Sequence, residues 1–583
     1  MVGLQSCQPY HLVPVEGSES VARRRCTRVA LLSGTGALLL LLLLPFRDDG
    51  QGVLYSADPA VRSVDGWLNY TLTVEAGVWH LPRRGISFRT RLYNGRAPSP
   101  VLYGRPGDRV RLLVRNRLGP DKPTPINDAL RLGFREANTT NLHLHGIHDD
   151  AYHDDSFARI HPGEERLYEY TLAADSGTTL MYYHPHADGS TTLQSFGGMG
   201  GALVVEDDAQ EAALGLPAYA TRTLLLQALQ LDSSKPDYIS TQLSNGGTSG
   251  MSPSLVVDAA CTGACLLLLV NGDEDGARQA LPAGSWLRLK LVNAVTSAGG
   301  MLFLGFGGGG DGDRSGGSNG GGESHPGATA CSLAVLAYDG VWLPAPRFQP
   351  GVLLPPGGRV ELLMGCTQPG LYTFGTLDPG DFGGTVGAGH TAVRIEVSAG
   401  PALVARMQRL PGALPGPPPY YRDLRGSHER PTDLRVIEFS TPSGDNVVNG
   451  RPYNYSRSDF ELELGTVAEW SLTSAEAPGT ALKLHPYHQH MSHFQIVAIT
   501  APDRAAAGGD SFDVGGTPRL TPALFASVGD WRDSLPLYAT VGYRIRFVAP
   551  FEGRMMVHCH VQKHSENGML AIASIRGPRM PIG

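Results

Sequence analysis

The stretch YNGRAPSPVLYGRPGDRVRLLVRN, residues 93–116, has two counterparts further along the chain. VNGDEDGARQALPAGSWLRLKLVN spans 270–293 and VNGRPYNYSRSDFELELGTVAEWSLT spans 448–473. Each opens on an Asn-Gly pair, at Asn94, Asn271 and Asn449, and the pairs are almost evenly spaced. Each then runs through a glycine turn into a segment of alternating apolar and polar residues, the pattern of a half-buried strand. A second block recurs later in each copy: PGEERLYEYTL from Pro162, PGGRVELLMG from Pro356 and VGYRIRFVAP from Val541. Such a period indicates one structural unit used three times. The chain is therefore read as all-β, with three β-sandwich domains over residues 55–210, 220–400 and 431–583. Residues 401–430, which contain PGALPGPPP, form the linker into the third.

Composition agrees. At 583 residues the chain exceeds one ordinary core, and its 74 glycines and 43 prolines suit a turn-rich β protein. A formal charge of −7 argues against a nucleic-acid partner. The segment GFGGGGDGDRSGGSNGGGES, 305–324, is too polar and glycine-rich to repay ordering and is expected to be a mobile insertion. Residues 1–54 form a cytosolic N-terminus and a leader. There, Arg23–Arg25 and Arg28 precede an apolar run from Val29 to Phe46, the pattern of a secretory signal or a signal anchor. The bulk of the chain is thus expected to be secreted or to face the outside, with membrane anchoring if the segment stays uncleaved. Export favours disulfides. Cys261, Cys265, Cys331 and Cys366 are an even set; spacing does not fix their connectivity, and proximity favours Cys261 with Cys265 and Cys331 with Cys366. Glycosylation acceptors occur at Asn69, Asn138 and Asn454.

The chemistry is concentrated in histidines. HCHVQKHSENGM, 558–569, brings three histidines, a cysteine and a methionine into twelve residues. If the triplet lies on a strand, His558 and His560 point one way and Cys559 the other, so two metal centres lie back to back with Cys559 bridging them. Composition alone would yield roughly one H-x-H pair. There are four: His143/His145, His184/His186, His488/His490 and His558/His560. Two come from the first domain and two from the third. The middle domain has Gly375 and Leu377 where its neighbours carry histidines, so the metals should gather where the outer domains meet. Eight imidazoles exceed the needs of one ion and would serve three. His485, three residues before His488, is left for the cysteine side, with His564 and Met569. A zinc site closes at four ligands, whereas imidazoles with a soft thiolate and thioether favour copper.

The four clusters in this order, H-x-H-G, H-x-H, H-P-x-H-x-H and H-C-H-x3-H-x3-G-M, resemble the signature of the multicopper oxidases, laccase-like enzymes of three cupredoxin-like Greek-key domains. The resemblance covers everything after about residue 55. It implies four copper ions: a type 1 ion on His485, Cys559 and His564 with Met569 axial; a type 2 ion on His143 and His488; and a type 3 pair, one on His145, His184 and His560, the other on His186, His490 and His558. It also implies that electrons from a donor pass from Cys559 through His558 and His560 to a cluster that reduces O2 to water. By the same resemblance His485 faces the donor and Asp154 is the carboxylate that serves the proton supply. Asp149, Asp150 and Asp155 compete for that role in the same acidic loop, and a second relay position holds Ser565, with Glu566 one step later. His148, His153, His161 and His493 fit no ligand position.

A methionine axial to the type 1 ion favours easily oxidised donors: phenols, aromatic amines, bilirubin-like pigments or metal ions. A phenol oxidase leads, and a ferroxidase or cuprous oxidase is the alternative. A non-catalytic exported copper carrier would show ligand loss, and every expected ligand is present. A monomer is expected.

Overall fold

The computed structural model describes residues 60–81, 86–121, 136–232, 264–296, 300–306, 330–377, 390–399, 409–426, 430–475, 485–500, 525–538 and 541–577. The leader, Cys7, Cys26, Cys261 and residues 307–324 of the glycine-rich insertion lie outside the described residues. Gly305 and Phe306 do not belong to that insertion; they close the strand Leu302–Phe306 and pair with Gly351, Gly375 and Phe374.

The all-β expectation holds, and the described strands form six sheets in three pairs. In the third pair, one sheet runs in the order Val447–Val448, Asp433–Ser440, Val467–Ala475, Gly542–Val548, Phe494–Thr500 and Trp531–Arg532. Its partner runs Phe460–Glu463, Leu570–Arg576, Gly553–Cys559, His485–Gln489 and Ser534–Leu537. The middle pair repeats this order strand for strand. Leu302–Phe306 stands where the third has His485–Gln489, and Gly370–Thr376 stands where it has Gly553–Cys559. In the first pair the corresponding strands are His143–His145 and Thr179–His184. Each copy also has parallel pairings among its antiparallel ones, in both of its sheets: Ala220–Asp232 with Leu287–Asn293 and Ala277–Pro282 with Thr391–Ser398 in the middle unit, and Asp433–Ser440 with Val467–Ala475 and Phe460–Glu463 with Leu570–Arg576 in the third.

The Asn-Gly pairs show why the repeat is conserved in geometry. Asn94, Asn271 and Asn449 have φ of 52, 51 and 50°, each followed by a positive-φ glycine. Asparagine tolerates this left-handed conformation, which a two-residue hairpin turn requires at both positions. Its side chain then ties down the strand alongside: Oδ1 accepts from the amides of Thr73, Leu225 and Glu438 at 2.6, 2.7 and 2.7 Å.

Alternation builds the cores. On Arg109–Asn116 the arginines face outward while Val110, Leu112 and Val114 are fully buried. Gly553–Cys559 is different, with its last five residues all buried, because one face meets the core and the other meets the first unit. The Cys331–Cys366 disulfide joins adjacent strands of the middle unit. Cys265 has no described side chain and Cys261 is undescribed, so their pairing is outside the described residues. Asn138 is half-buried: its Oδ1 accepts from Arg91 Nε and Nη2, and its Nδ2 donates to the Gly119 carbonyl.

One buried ion network locks the three copies together. The Arg359 guanidinium, from the middle unit, grips Asp533 of the third through two 2.6 Å bonds, and its Nε donates to the Leu180 carbonyl of the first. Asp339 binds Arg532 at 2.7 Å beside it. All four charged groups are buried and each faces an opposite charge, the condition under which buried charge is tolerated.

Candidate metal centres

The two faces of the H-C-H triplet separate as strand geometry requires. On one face, Cys559 Sγ lies 3.8 Å from His485 Nδ1 and 3.7 Å from His564 Nδ1. The short helix Gln562–Glu566 turns the chain back so that His564 reaches the sulfur. Met569 is fully buried in the same apolar cluster as Cys559, and the Cys559 amide donates to its carbonyl. Burial pushes the Cys559 thiol far above its ordinary range, so a thiolate there needs a cation against it. The expectation that His485 faces the donor fails. His485 has no exposed surface, and His564 is the half-buried member of the set. The strand carrying His485 pairs on both sides, with Ser534–Leu537 and with Gly553–Cys559, whereas His564 sits on the outer turn.

On the opposite face two antiparallel ladders oppose each other. His143 is paired with His184 in one, and His488 with His558 in the other. The imidazoles converge between them: His186 Nε2 and His490 Nε2 lie 3.1 and 3.2 Å from His558 Nε2, and His143 Nε2 lies 3.4 Å from His488 Nε2. His145 and His184 pack around His560 with ring centroids 5.0 and 5.5 Å from it.

On six of the eight rings the outward nitrogen is anchored. His143 Nδ1 meets Asp154 Oδ2 at 2.6 Å, His488 Nδ1 the Asp533 carbonyl at 2.9 Å, His558 Nδ1 the Cys559 carbonyl at 3.0 Å and His184 Nδ1 the Pro185 carbonyl at 2.9 Å. His490 Nδ1 lies 3.2 Å from Ser156 Oγ. His145 is turned the other way round, with Nε2 3.1 Å from Asp533 Oδ1 and 3.2 Å from Ser534 Oγ. Protons held at these outer atoms leave lone pairs facing inward, 3.1–3.4 Å apart, which is repulsive unless a cation lies among them. His145 Nδ1, His184 Nε2 and both nitrogens of His560 are buried without a hydrogen-bond partner. Burial drives His145, His184, His186, His488, His490 and His560 well below the ordinary histidine range and His558 to about 4. Neutral imidazoles with anchored outer nitrogens are what a metal site requires, so the residues fit copper.

Of the acidic loop, Asp154 is the carboxylate turned inward. It is 4% exposed, and its Oδ1 accepts from the Leu144 amide and the Tyr170 hydroxyl. Asp149 instead meets His153, and Asp155 pairs with Arg166. Glu566 contacts Thr192, and burial pushes its carboxyl up to about 8. His493 accepts from the Tyr421 hydroxyl at 2.8 Å and donates to the Asp339 carbonyl; His148 stacks on Tyr420.

Sequence reading missed Asp533, Ser156, Arg359 and Gly357, all of which touch the site or hold it. None carries a local motif. Only the position of Gly357 in the recurring Pro-Gly block could have drawn attention to it.

Two family models described as "Multicopper oxidase" match residues 133–210 and 426–576. A multicopper oxidase of Staphylococcus aureus is 21% identical over 508 residues, covering 87% of this chain and 88% of its own. A Bacillus subtilis laccase is 23% identical over 532 residues, covering 87% and 94%. Among solved structures, the fold is shared with a multicopper oxidase from Campylobacter jejuni described as a metallo-oxidase (TM-score 0.62, 18% identity, 89% of this chain and 93% of that one). It is also shared with a laccase-like enzyme from Ochrobactrum sp. described as active towards lignin model compounds and lignosulfonate (TM-score 0.61, 21% identity, 89% and 99%). The matched segments contain both histidine ladders and the cysteine between them, and on these grounds the chain belongs to the multicopper oxidase family: it is a copper-dependent oxidoreductase.

Proposed function

We propose that the chain couples one-electron oxidation of a small donor on the Cys559 side to four-electron reduction of dioxygen to water on the histidine side. His485, Cys559 and His564, with Met569, would hold the type 1 ion, and His143 and His488 the type 2 ion. His145, His184 and His560 would hold one type 3 ion, and His186, His490 and His558 the other. Copper supplies reversible one-electron redox chemistry and the affinity for oxygen. The protein supplies everything else.

The observation that carries the reading is the back-to-back placement around Cys559. Its sulfur faces His485 and His564, while the rings immediately before and after it in the chain face the opposite cluster. The peptide links from Cys559 to His558 and His560 are therefore the shortest covalent connection between the two sites. Burial of every cluster histidine excludes bulk water, and it favours the neutral form of His145, His184, His186, His488, His490, His558 and His560. Asp154 Oδ2 holds the proton on His143 Nδ1 and orients that ring. Its place beside the cluster also suits it to pass protons inward, since water formation consumes four per dioxygen.

Donor electrons enter at His564, the half-buried member of that ligand set. Phenols and aromatic amines are the preferred class, in keeping with the Ochrobactrum relative; metal ions are the alternative, in keeping with the Campylobacter one. We place the three units at 55–210, 220–400 and 431–583 in a monomer. The apolar segment Val29–Phe46 directs them out of the cytosol, free or anchored, with glycans at Asn69, Asn138 and Asn454. Among the described residues no helix is long and apolar enough to cross a membrane.

The test is to express the chain with copper and measure copper per chain, blue thiolate absorption and oxygen uptake. Donors would be phenols, aromatic amines, bilirubin, and ferrous, cuprous and manganous ions. Uptake with phenols, with water rather than peroxide as product, supports the proposal. Uptake with metal ions alone selects the alternative. A blue protein that consumes no oxygen with any donor is a copper carrier.

A further inference from the structure

The middle unit carries no candidate ligand, yet it reaches the histidine cluster. Its turn Pro355-Pro356-Gly357-Gly358 leads into the strand Arg359–Cys366. Gly357 has φ +78°, and a Cβ placed on it would lie 2.8 Å from His145 Cε1, 2.8 Å from His560 Cδ2 and 2.8 Å from His560 Nε2. All three distances fall below any normal carbon contact, and they involve two different rings. One of the crowded atoms, His560 Nε2, is also one of the buried nitrogens without a protein partner.

The turn is held in place. It is tied back by the Gly357 amide, which donates to the Asn293 carbonyl at 2.8 Å, and by Arg359 Nη1, which donates to the Gly357 carbonyl at 3.1 Å. The same guanidinium grips Asp533, whose Oδ1 meets His145 Nε2. The His560 backbone is held by its amide, which donates to the Pro486 carbonyl at 2.7 Å, so relief of the clash would have to come from its ring. Turn and rings are thus parts of one clamp.

We propose that Gly357 is a positioning residue for the ion site of His145, His184 and His560, and that the middle unit thereby completes a centre to which it gives no ligand. The proposal rests on the ligand assignment made above. Without a side chain, Gly357 lets the turn close over the two rings while leaving His560 Nε2 clear. Any Cβ would either push the rings apart or occupy the space at that nitrogen.

The repeat supplies a matched control. Gly163 occupies the same turn in the first unit: φ +91°, its amide donating to the Asn116 carbonyl at 2.9 Å as that of Gly357 does to Asn293. A Cβ on Gly163 meets nothing within 4 Å. Gly163→Ala therefore imposes the same backbone strain without the clash.

The full chain would be prepared as Gly357→Ala, Gly357→Asn, Gly163→Ala and His184→Ala. Asparagine is included because it tolerates positive φ while still carrying a Cβ. Copper per chain and the electron paramagnetic resonance spectrum would be recorded for each. Both Gly357 variants should lose one ion per chain and show a new paramagnetic copper signal from the uncoupled partner, with the blue absorption unchanged. Gly163→Ala should match the parent. The proposal is overturned if the Gly357 variants keep the parent's copper and spectrum while His184→Ala loses an ion. It is equally overturned if neither Gly357 variant folds although Gly163→Ala does, since the clash then acts on the fold. If His184→Ala itself keeps every ion, the ligand assignment falls instead.

Discussion

The middle and third units have the same strand order in both sheets, but only one of them carries ligands. In the third, His485–Gln489 and Gly553–Cys559 form the ladder that presents His488, His490, His558 and His560. In the middle, Leu302–Phe306 and Gly370–Thr376 occupy those places, and Gly305 pairs with Gly375 where the third unit pairs His488 with His558. The difference teaches that the sandwich is a general scaffold, and that the chemistry lies in a few side chains on two strands and in whatever the neighbouring units press against them. The middle unit has kept the frame and contributes a turn and an arginine.

The sharpest way to break this comparison is Cys559→Ser. It should abolish the blue absorption and reduce turnover on the order of a thousand-fold or more, while the histidine side keeps its ions by metal analysis. Retained turnover would mean that Cys559 is not the junction. Next, Arg359→Met would leave Asp533 as an unpaired buried carboxylate. That should cost about 3–5 kcal/mol, read as a large fall in melting temperature, although Arg359 lies in the unit without ligands. Asp154→Asn should lower the rate of oxygen reduction by roughly 10–100-fold and spare the blue absorption; a normal rate would remove Asp154 from the proton supply.

The effect of pH sharpens the contrast between cluster and frame. His145, His184, His186, His488, His490 and His560 have folded pKa values depressed well below the ordinary 6.5, and His558 is lowered to about 4. In the copper-free protein the unfolded chain therefore binds more protons than the folded one between these values. Stability should be intact above pH 6.5 and fall as pH drops towards 4, by on the order of 1 kcal/mol per pH unit for each such histidine. Thermal melts of the copper-free protein against pH would check this, and a flat profile would contradict it. The smallest expected effect is that of Asn271→Ala in the middle unit's hairpin. It should cost about 1–2 kcal/mol through the left-handed backbone and the lost bond to Leu225, with copper content unchanged.

Much of this organisation was legible from residues. The H-x-H spacing places two rings on one strand face, and an alternating cysteine must face away, so the two-sided reading of 558–560 needed only strand geometry. The threefold repeat was legible because Asn-Gly turns and Pro-Gly blocks are local features. What local pattern could not supply is proximity between distant segments. Asp533 is 388 residues from His145 in sequence but 3.1 Å from it in space. Gly357 reads as an ordinary turn glycine, like Gly163, until the rings it faces are known. The exposure of His485 was misjudged for a similar reason: the flanking strand Ser534–Leu537 covers it.

The clamp at Arg359 sets an order of events for the newly made polypeptide. Half of the cluster's imidazoles come from the region after residue 484, and the carboxylate that seats Arg359 arrives only with Asp533. A chain emerging from its N-terminal end therefore cannot close its metal cavity until nearly all of it has been synthesised and docked. The full set of eight imidazoles is therefore assembled only late in maturation.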